Sequence, residues 1–505
     1  MIDVVFSNTQ NYINNMTKTE RKEKGQFFTS VETARFMADM FSVKNVHGHV
    51  CVLDPGAGTG ILSCALAEKL LLCSEVESIE LTCYETDPSV LPVLKVNLEH
   101  IKKQSSKPFT YIIIKNDYIL SQSNDFNETL LKDSTCKKYD LVIGNPPYLK
   151  IPKTNPVSAA MPSVVYGAPN LYFIFASMSL FNLKDNGEMV YIIPRSWTSG
   201  AYFRRFREYL FENGSLEQIH LFVSRDKVFQ QEQVLQETMI IKVKKSKKHA
   251  PFINITSSES NGDFADITTL KVPFKLVVSG RDLYVYLPTN EDEVKTLQYI
   301  NRFQDTFPTC GIKMKTGIVV DFRQRDNLRR EPGEGIVPLF YSQHIRDGRV
   351  NHNDSGKGSD WINAEKKGLV QANKNYVFCK RFTAKEERRR LQCGIYLAED
   401  FSEYDLIGTQ NKINYVDNID GSPLTVSVTY GIYVLLNSTL YDRYYRVLNG
   451  STQVNSTEIN NMPVPPRNII KRLGDALIKE GSLSTGACDK VLEEVLNGKN
   501  ENKRS

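Results

Sequence analysis

The sequence has no run of apolar residues that approaches the roughly 20 needed to cross a bilayer. Its first residues, 1–8, lack the basic start and long apolar core of an export signal. The nine cysteines include no Cys-x-x-Cys pair, and with only seven scattered histidines no zinc-binding spacing is present. These absences predict a cytoplasmic protein with free thiols, without a membrane segment and without a bound metal.

A strong charge of either sign is also missing. The net charge of +5 is too small to indicate nucleic-acid binding by itself. The hydrophobic share of 41% is that of a globular protein, and 505 residues are too many for one hydrophobic core. We therefore expect at least two domains.

Alternating glycines follow the apolar stretch 50–54, which is predicted to be a buried strand. Gly56, Gly58 and Gly60 allow positive φ angles and a close approach of the backbone to a ligand. A helix predicted from about Ile61 would offer N–H groups to that ligand. The dinucleotide fingerprint needs its third glycine three residues after the second, so this spacing argues against it. The pattern indicates a cofactor loop of another kind.

Two further predicted strands end in carboxylates. Glu85 closes the stretch 79–85, and Asp117 follows the stretch 111–114. A carboxylate at the first position could accept from ribose hydroxyls, and one at the second from an adenine amino group. The carboxyl ends of parallel strands meet at one sheet edge, so these positions predict a nucleoside pocket. The alternative is that Asp54, Glu85 and Asp117 only cap turns at strand ends.

The loop Asn145-Pro146-Pro147-Tyr148 follows another short apolar strand, 140–144. The two prolines fix φ and remove two backbone donors, which leaves stiff carbonyl acceptors beside a side-chain amide. An exposed amino-bearing ring could be held there and stacked on Tyr148. A purely structural proline turn is the alternative interpretation.

With these motifs the chain resembles the class I S-adenosylmethionine-dependent methyltransferases, over about 24–207. Within them it is similar to the gamma-class N6-adenine DNA methyltransferases of the TaqI and Eco57I type. The predicted fold class is therefore α/β, with a Rossmann-like class I methyltransferase domain followed by a mixed α/β target-recognition domain. The resemblance implies S-adenosylmethionine as cofactor and double-stranded DNA as partner.

The resemblance also implies roles for individual residues. Gly25-Gln26-Phe27-Phe28-Thr29 resembles the motif that holds the methionine end of the cofactor. The implied cofactor-binding residues are Thr29, Asp54, Gly56, Gly58, Glu85, Asp117 and Asn145. The implied catalytic residues are Asn145, Pro146 and Tyr148. Asn170-Leu171-Tyr172-Phe173 resembles the motif that lines both pockets. Phe203 falls where the family places a second aromatic against the extruded base, although an amphipathic helix would bury it equally well.

Residues beyond about 265 are expected to recognise the DNA target. The segments 317–323 and 335–341 read as short strands, and 374–390 mixes basic and aromatic residues as a phosphate-tracking surface does. This part resembles the target-recognition domain of PstI/BsuBI-type adenine methyltransferases. The predicted DNA-binding residues are Arg323, Arg325, Lys380, Arg381, Arg388 and Arg390, for each of which a surface salt bridge is the alternative.

The expected domains are a catalytic domain with an N-terminal helical arm (1–250), a target-recognition domain (265–466), a helical segment (467–496) and a disordered tail (497–505). The expected activity is site-specific N6-methylation of a flipped-out adenine, beside a separately encoded restriction endonuclease, by a monomer. Methylation of a protein glutamine or an RNA base, and a non-catalytic DNA-binding module, are the alternatives.

Overall fold

The computed structural model describes residues 1–14, 29–128, 136–167, 169–222, 237–259, 264–366, 368–384, 386–448 and 453–498. The chain divides into two compact units, Met1–Asn290 and Glu291–Ser505. The chain does not divide at the expected boundary between 250 and 265, because strands at Phe252–Ser258 and Thr268–Pro273 both belong to the sheet of the first unit.

The first unit alternates strands and helices along most of its length. Its strands are β1 (Gly48–Asp54), β2 (Val76–Tyr84), β3 (Phe109–Ile114), β4 (Tyr139–Gly144), β5 (Leu183–Pro194), β6 (Gly214–Phe222), β7 (Thr238–Lys245), β8 (Phe252–Ser258), β9 (Thr268–Pro273), β10 (Val278–Ser279) and β11 (Tyr284–Val285). Its helices are α1 (Ile2–Asn14), α2 (Val31–Asp39), α3 (Ile61–Leu71), α4 (Leu91–Gln104), α5 (Ser123–Glu128), α6 (Pro156–Ala160), α7 (Leu171–Asn182), α8 (Arg204–Asn213) and α9 (Phe274–Val277).

Within the described residues, nine of these strands form one sheet in the order β3-β2-β1-β4-β5-β7-β6-β8-β9. Strands β1 to β5 are parallel, and β7 is antiparallel to both of its neighbours. The last five residues of β1 are all buried, as expected for a parallel strand covered on both faces. The strand order reverses between β1 and β4, which places a topological switch point between them.

The N-terminal helix α1 packs on the first unit. Ile2 and Val5 are fully buried in the same core as Val50 and Val52 of β1. This core covers one face of the sheet near the switch point. The N-terminal helical arm is therefore a fixed part of the first unit.

The second unit consists of short strands and six described helices. The strands are β12 (Ile312–Thr316), β13 (Leu328–Arg329), β14 (Ile336–Phe340), β15 (Ile345–Arg346), β16 (Arg349–Val350), β17 (Trp361–Asn363), β18 (Gln371–Ala372), β19 (Tyr376–Lys380), β20 (Cys393–Tyr396), β21 (Leu406–Thr409) and β22 (Ile413–Asn418). The helices are α10 (Glu291–Ile300), α11 (Val426–Asn437), α12 (Thr439–Leu448), α13 (Ser456–Asn460), α14 (Arg467–Glu480) and α15 (Thr485–Asn497).

In the part of the second unit that the structure describes, the strands form two sheets. Their orders are β12-β22-β19-β20-β16-β15 and β13-β17-β14-β21-β18. The strand predicted over 335–341 is present as β14. The stretch 317–323, predicted to be a strand, does not form one: Val319 makes an isolated parallel β-bridge with Gln410, and Asp321–Arg323 form a turn of 3-10 helix.

Helices α11 and α14 are in direct backbone contact. A Cβ on Gly474 would lie 1.7 Å from the Ser427 carbonyl oxygen, and one on Gly431 would lie 1.8 Å from that of Ile470. The helical segment expected as a separate part is thus packed into the second unit. Of the expected tail, Asn497 ends α15, and 499–505 lie outside the described residues. Among the described helices, none is both long enough and apolar enough to span a membrane.

Candidate active site

A cavity of about 410 Å³ opens at the carboxyl edge of the first unit's sheet. The loops after β1, β2, β3 and β4 line it, together with Thr29 and Phe175. This volume lies in the range of small-molecule and cofactor sites. The four loops predicted from sequence therefore meet at the switch point of one sheet.

The glycine loop after β1 has the backbone that its composition predicts at two of its three glycines. Gly58 has φ +54° and Gly60 has φ +86°, and Gly60 immediately precedes α3. Gly56 does not have a positive φ. The remaining reason for a glycine at this position is that it lets a ligand approach the backbone closely. The loop is held from outside by Thr59, whose Oγ1 accepts from Thr9 Oγ1 at 2.8 Å.

Glu85 connects two loops of the cavity. Its Oε2 accepts from the Gly58 N–H at 2.9 Å, and its Oε1 accepts from the Asp87 N–H at 2.8 Å. Burial raises its pKa above the ordinary value, against the opposing effect of these backbone donors. Glu85 lines the cavity and also fixes the glycine loop, so the capping and binding interpretations are both consistent with its position.

Asp54 lies beneath the cavity wall. Its side chain is almost fully buried, and Ser63 Oγ donates to its Oδ2 at 2.7 Å. Burial raises the pKa of Asp54 to about 7, and the negative charge of Glu85 acts in the same direction. Asp54 thus supports the first turn of α3 and lies behind the glycine loop, while its neighbour Pro55 lines the cavity.

Asp117 lies at the far side of the cavity beside Asn116. Its Oδ1 accepts from the Leu120 N–H at 2.8 Å, which caps the following 3-10 turn. The capping interpretation therefore accounts for Oδ1, one of the two carboxylate oxygens of Asp117. The carboxylate nonetheless lies on the wall where the resemblance expects the cofactor adenine.

The loop after β4 brings Asn145 to the cavity. Asn145 Nδ2 donates to Thr29 Oγ1 at 3.1 Å, and both residues line the cavity with Pro147. The preceding Gly144 is required by packing, because a Cβ there would lie 2.3 Å from Cε1 of Tyr191. Of the motif that the resemblance places at 25–29, residues 25–28 lie outside the described residues.

Tyr148 and Phe203 both contact a third ring, that of Tyr172. The ring centroids of Tyr148 and Tyr172 are 6.3 Å apart at 87°, and those of Tyr172 and Phe203 are 6.2 Å apart at 27°. Tyr148 is buried, and its hydroxyl donates to the Ile192 carbonyl at 3.0 Å. The two predicted stacking residues thus belong to one aromatic cluster with α7.

Arg207 is a residue of this cluster that sequence reasoning missed. Its guanidinium is fully buried and donates to the carbonyl oxygens of Trp197, Ser199 and Gly200, which precede Phe203. It also donates to the Asp282 carbonyl at 2.9 Å. Arg207 therefore fixes the turn that carries Phe203. Its burial has no signal in the sequence, because Arg204-Arg205-Phe206-Arg207 has the charged composition of a surface segment.

Comparison with known proteins identifies relatives along nearly the whole chain. The type II methyltransferase M.PstI of Providencia stuartii is 34% identical over 489 residues, which are 95% of this chain and 94% of the relative. The type II methyltransferase M.BsuBI of Bacillus subtilis is 33% identical over 490 residues, 94% of each chain. This chain belongs to the type II methyltransferases.

The catalytic part of this type II methyltransferase also matches a family model, the Eco57I restriction-modification methylase, over residues 64–229. Among solved structures, the type IIG restriction endonuclease BpuSI is 13% identical, with 94% of this chain and 66% of that chain covered and a TM-score of 0.47. A DrdV–DNA complex is similar at 13% identity, 94% and 59% coverage and a TM-score of 0.46. The predicted similarity to PstI/BsuBI-type and Eco57I-type methylases is confirmed by the relatives and the family model, and the predicted α/β fold class is confirmed by the nine-stranded, parallel-rich sheet of the first unit.

The arginines predicted to contact DNA have different environments in the methyltransferase's second unit. Arg323, Arg325 and Arg388 are exposed, whereas Lys380 and Arg381 are half-buried. The guanidinium of Arg323 lies 5.5 Å from the ring of the exposed Phe322. These five positions remain predictions.

The prediction that Arg390 binds DNA is contradicted by the position of its side chain. Its side chain is fully buried, and its Nε donates to Thr383 Oγ1 at 3.2 Å. Its backbone N–H donates to Asp442 Oδ1 at 2.8 Å. Burial lowers the pKa of Arg390, although the nearby charges of Asp442 and Glu458 oppose that effect. Arg390 is part of the interior of the second unit, so it cannot read a base edge.

His49, Cys51 and Glu80 place their potential metal-ligand atoms within 4.8 Å of one another, near the end of β1 away from the cavity. The carboxylates there form ion pairs with two lysines: Lys137 pairs with Glu80, and Lys184 pairs with Asp140. Positive charge beside the cluster disfavours a divalent cation. We interpret it as a surface charge network.

Proposed function

We propose that this methyltransferase transfers a methyl group from S-adenosylmethionine to the N6 atom of an adenine in double-stranded DNA. The observation that carries the proposal is the meeting of Asn145 with the cofactor loops at one cavity, since it puts an amino-group acceptor beside a nucleoside-sized site. The names of the relatives, type II methyltransferases, support a role in a restriction-modification system.

The residues of the cavity fit this cofactor. The Glu85 carboxylate can accept from ribose hydroxyls, the Asp117 carboxylate can accept from an adenine amino group, and Thr29 and Asn145 line the same cavity and are hydrogen-bonded to each other. The glycine loop leaves space for the ligand's close approach. S-adenosylmethionine supplies an electrophilic methyl group on a sulfonium sulfur when it is bound.

The catalytic residues act on the adenine amino group. The Asn145 side-chain oxygen and the Pro146 carbonyl accept its two N–H bonds, which draws the nitrogen towards tetrahedral geometry and localises its lone pair. With the cofactor bound, the localised lone pair would attack the electrophilic methyl group that the cofactor supplies, the cofactor's thioether would be the leaving group, and the surplus proton would leave to solvent. Alignment and fixed dipoles supply the acceleration, without a covalent enzyme intermediate.

The target atom cannot be reached inside a duplex, so the adenine is extruded from the helix. Tyr148 and Phe203 stack on the extruded base, and both contact the ring of Tyr172. Stacking of this kind offsets part of the cost of unpairing. The second unit recognises the target through exposed basic residues such as Arg323 and Arg325. We further propose a monomer that works beside a separately encoded endonuclease with the same target.

The test is single-molecule sequencing of DNA from cells that express this chain, in a host without adenine methylation of its own. We expect N6-methyladenine in one sequence motif with the wild type and none with Asn145→Ala. Modification at cytosine would contradict the proposed adenine specificity. No modification at all from a folded protein that binds the cofactor would contradict the proposal and favour a protein or RNA substrate.

The cofactor is tested separately by calorimetric titration of the purified protein with S-adenosylmethionine. Glu85→Ala should weaken binding at least about tenfold, because it removes both a ribose acceptor and the anchor of the Gly58 amide. The control is Glu75→Ala, which removes an exposed carboxylate before β2. Equal affinity in Glu85→Ala and wild type would argue against this cofactor site.

A further inference from the structure

Two exposed tyrosines face each other beside the aromatic cluster. All 24 tyrosines of the chain lie in the described residues, and only Tyr166 and Tyr202 are exposed, at 53% and 60%. Their ring centroids are 6.2 Å apart, at an interplanar angle of 47°. Two large rings that lie together at the surface of the first unit need a reason other than packing of the core.

The backbone under the pair is built to hold it. Gly167 has φ +74°, and a Cβ at this position would lie 2.7 Å from Cδ1 and Cε1 of Tyr202. Only a glycine therefore allows the Tyr202 ring to lie against the loop that carries Tyr166. Arg205 ties the same loop to α8, because its Nη1 donates to the carbonyl oxygens of Pro162 and Val165 at 3.0 and 3.1 Å.

Both tyrosines belong to elements of the proposed target-base site. Tyr202 directly precedes Phe203 in a single 3-10 turn. The loop of Tyr166 leads to Pro169, whose carbonyl accepts from the Ile151 N–H at 2.8 Å, three residues after Tyr148. The pair therefore continues the surface on which the extruded base would stack.

The charge around the pair suits a polyanion. Lys150 and Lys153 are exposed on the chain segment that follows Tyr148, and Arg205 is exposed on α8. Exposed cations next to aromatic faces are the combination that binds unpaired nucleotides, whose phosphates and bases need both. A protein partner would also use exposed tyrosines, but it gives no reason for cations placed beside the catalytic loop.

We propose that Tyr166 and Tyr202 form a second stacking platform, which holds the base that adjoins the extruded adenine on the same DNA strand. The proposal rests on the proposed function and adds a contact to it. Extrusion of one base removes a stacking partner from its neighbour, and an aromatic surface at the mouth of the site would replace that partner.

The experiment uses the full chain and a duplex that contains its target motif, with 2-aminopurine in place of the base that adjoins the target adenine. This fluorophore is dim when stacked and bright when unstacked. With the wild type we expect the adjoining probe to stay dim. With Tyr166→Ala/Tyr202→Ala we expect it to brighten severalfold and the duplex to bind at least about fivefold more weakly.

Two controls separate stacking from other effects. Tyr166→Phe/Tyr202→Phe keeps both aromatic faces and should behave as the wild type. Phe252→Ala removes an exposed aromatic residue at the start of β8, which lies four strands from β4 in the sheet order, and should leave both readouts unchanged.

Extrusion itself is measured on a second duplex by permanganate oxidation of the thymine opposite the target adenine, which becomes reactive when its partner leaves the helix. The thymine should react with the wild type and with the alanine variant, which also shows that the variant is folded. If it stays protected with the wild type, base extrusion and hence the proposed function fail. If it reacts while the adjoining probe is the same in wild type and alanine variant, the platform alone is overturned, and the tyrosines would then be candidates for contact with a protein.

Discussion

The two units of this methyltransferase arrange their charged residues in different ways. In the first unit, carboxylates at the ends of neighbouring strands converge on one cavity, where backbone N–H groups hold them. In the second unit, three consecutive arginines have three environments: Arg388 is exposed, Arg389 is half-buried and Arg390 is buried. A parallel sheet fixes where strand ends lie, whereas a short loop decides the direction of each side chain separately.

The largest effect that would test this contrast is expected at the sheet edge. Asn145→Ala should lower kcat by about 1000-fold or more, because it removes the acceptor that orients the amino group. Affinity for S-adenosylmethionine should change by less than about threefold. Single-turnover kinetics and calorimetry measure the two quantities, with the exposed Asn127→Ala as control. Near-normal turnover in Asn145→Ala would mean that Asn145 is not a catalytic residue, although it lies where the loops converge.

The next effect sharpens the contrast within the arginine run. Arg390→Met should lower the free energy of unfolding by about 3 kcal/mol, because it removes a buried cation next to the buried Glu458 and leaves Thr383 without its donor. Arg388→Met should change it by less than about 0.5 kcal/mol. Urea unfolding measures both variants. Equal stabilities would show that the interior position of Arg390 has no energetic consequence.

A smaller effect concerns pH and the buried carboxylate of the first unit. The pKa of Asp54 is raised to about 7, so ionisation is easier in the unfolded chain. Its contribution to stability is therefore present at low pH and is lost as pH rises through 7. Relative to the wild type, Asp54→Asn should gain roughly 2–3 kcal/mol between pH 5 and pH 8.

Urea unfolding at the two pH values, without cofactor, makes this comparison. A stability difference between Asp54→Asn and the wild type that stays constant with pH would place the carboxylate in contact with water and contradict its burial.

The smallest effect is expected on the exposed arginines. The double change Arg323→Ala/Arg325→Ala should weaken binding of the target duplex by about tenfold without lowering the free energy of unfolding. The matched control is Arg472→Ala/Lys479→Ala on α14, which removes two exposed charges outside the predicted surface. Fluorescence anisotropy at two salt concentrations measures the binding. If the control variant lost as much affinity for the duplex, the effect would come from net charge and not from these two positions.

The sequence predicts the first unit well because its signals are periodic and ordered along the chain. Apolar strands, a glycine loop and polar strand ends placed Glu85, Asp117 and Asn145 on one cavity before any geometry was known. The position of Asp54 beneath the loop and the role of Arg207 depend on how side chains pack from distant elements. Neither follows from local pattern.

The second unit was predicted less accurately for a physical reason. Its strands are short, and several of its contacts join residues far apart in the chain, such as the Gly317 backbone against that of Gln410. An apolar stretch such as 317–323 has the composition of a strand but makes a turn there. Arg390 was expected on the surface because arginine usually is, and only its partners Thr383 and Asp442 explain its burial.

The arrangement of the cavity has a consequence for synthesis of the protein. Its wall includes Thr29 and Phe175, and strands β1 and β4 are neighbours in space although β2 and β3 lie between them in the chain. About a third of the polypeptide must therefore leave the ribosome before β4 can complete the wall beside β1. Until then the nascent chain contains the glycine loop but not the complete cavity. A ligand of the cavity can therefore stabilise this protein only after that stage of translation.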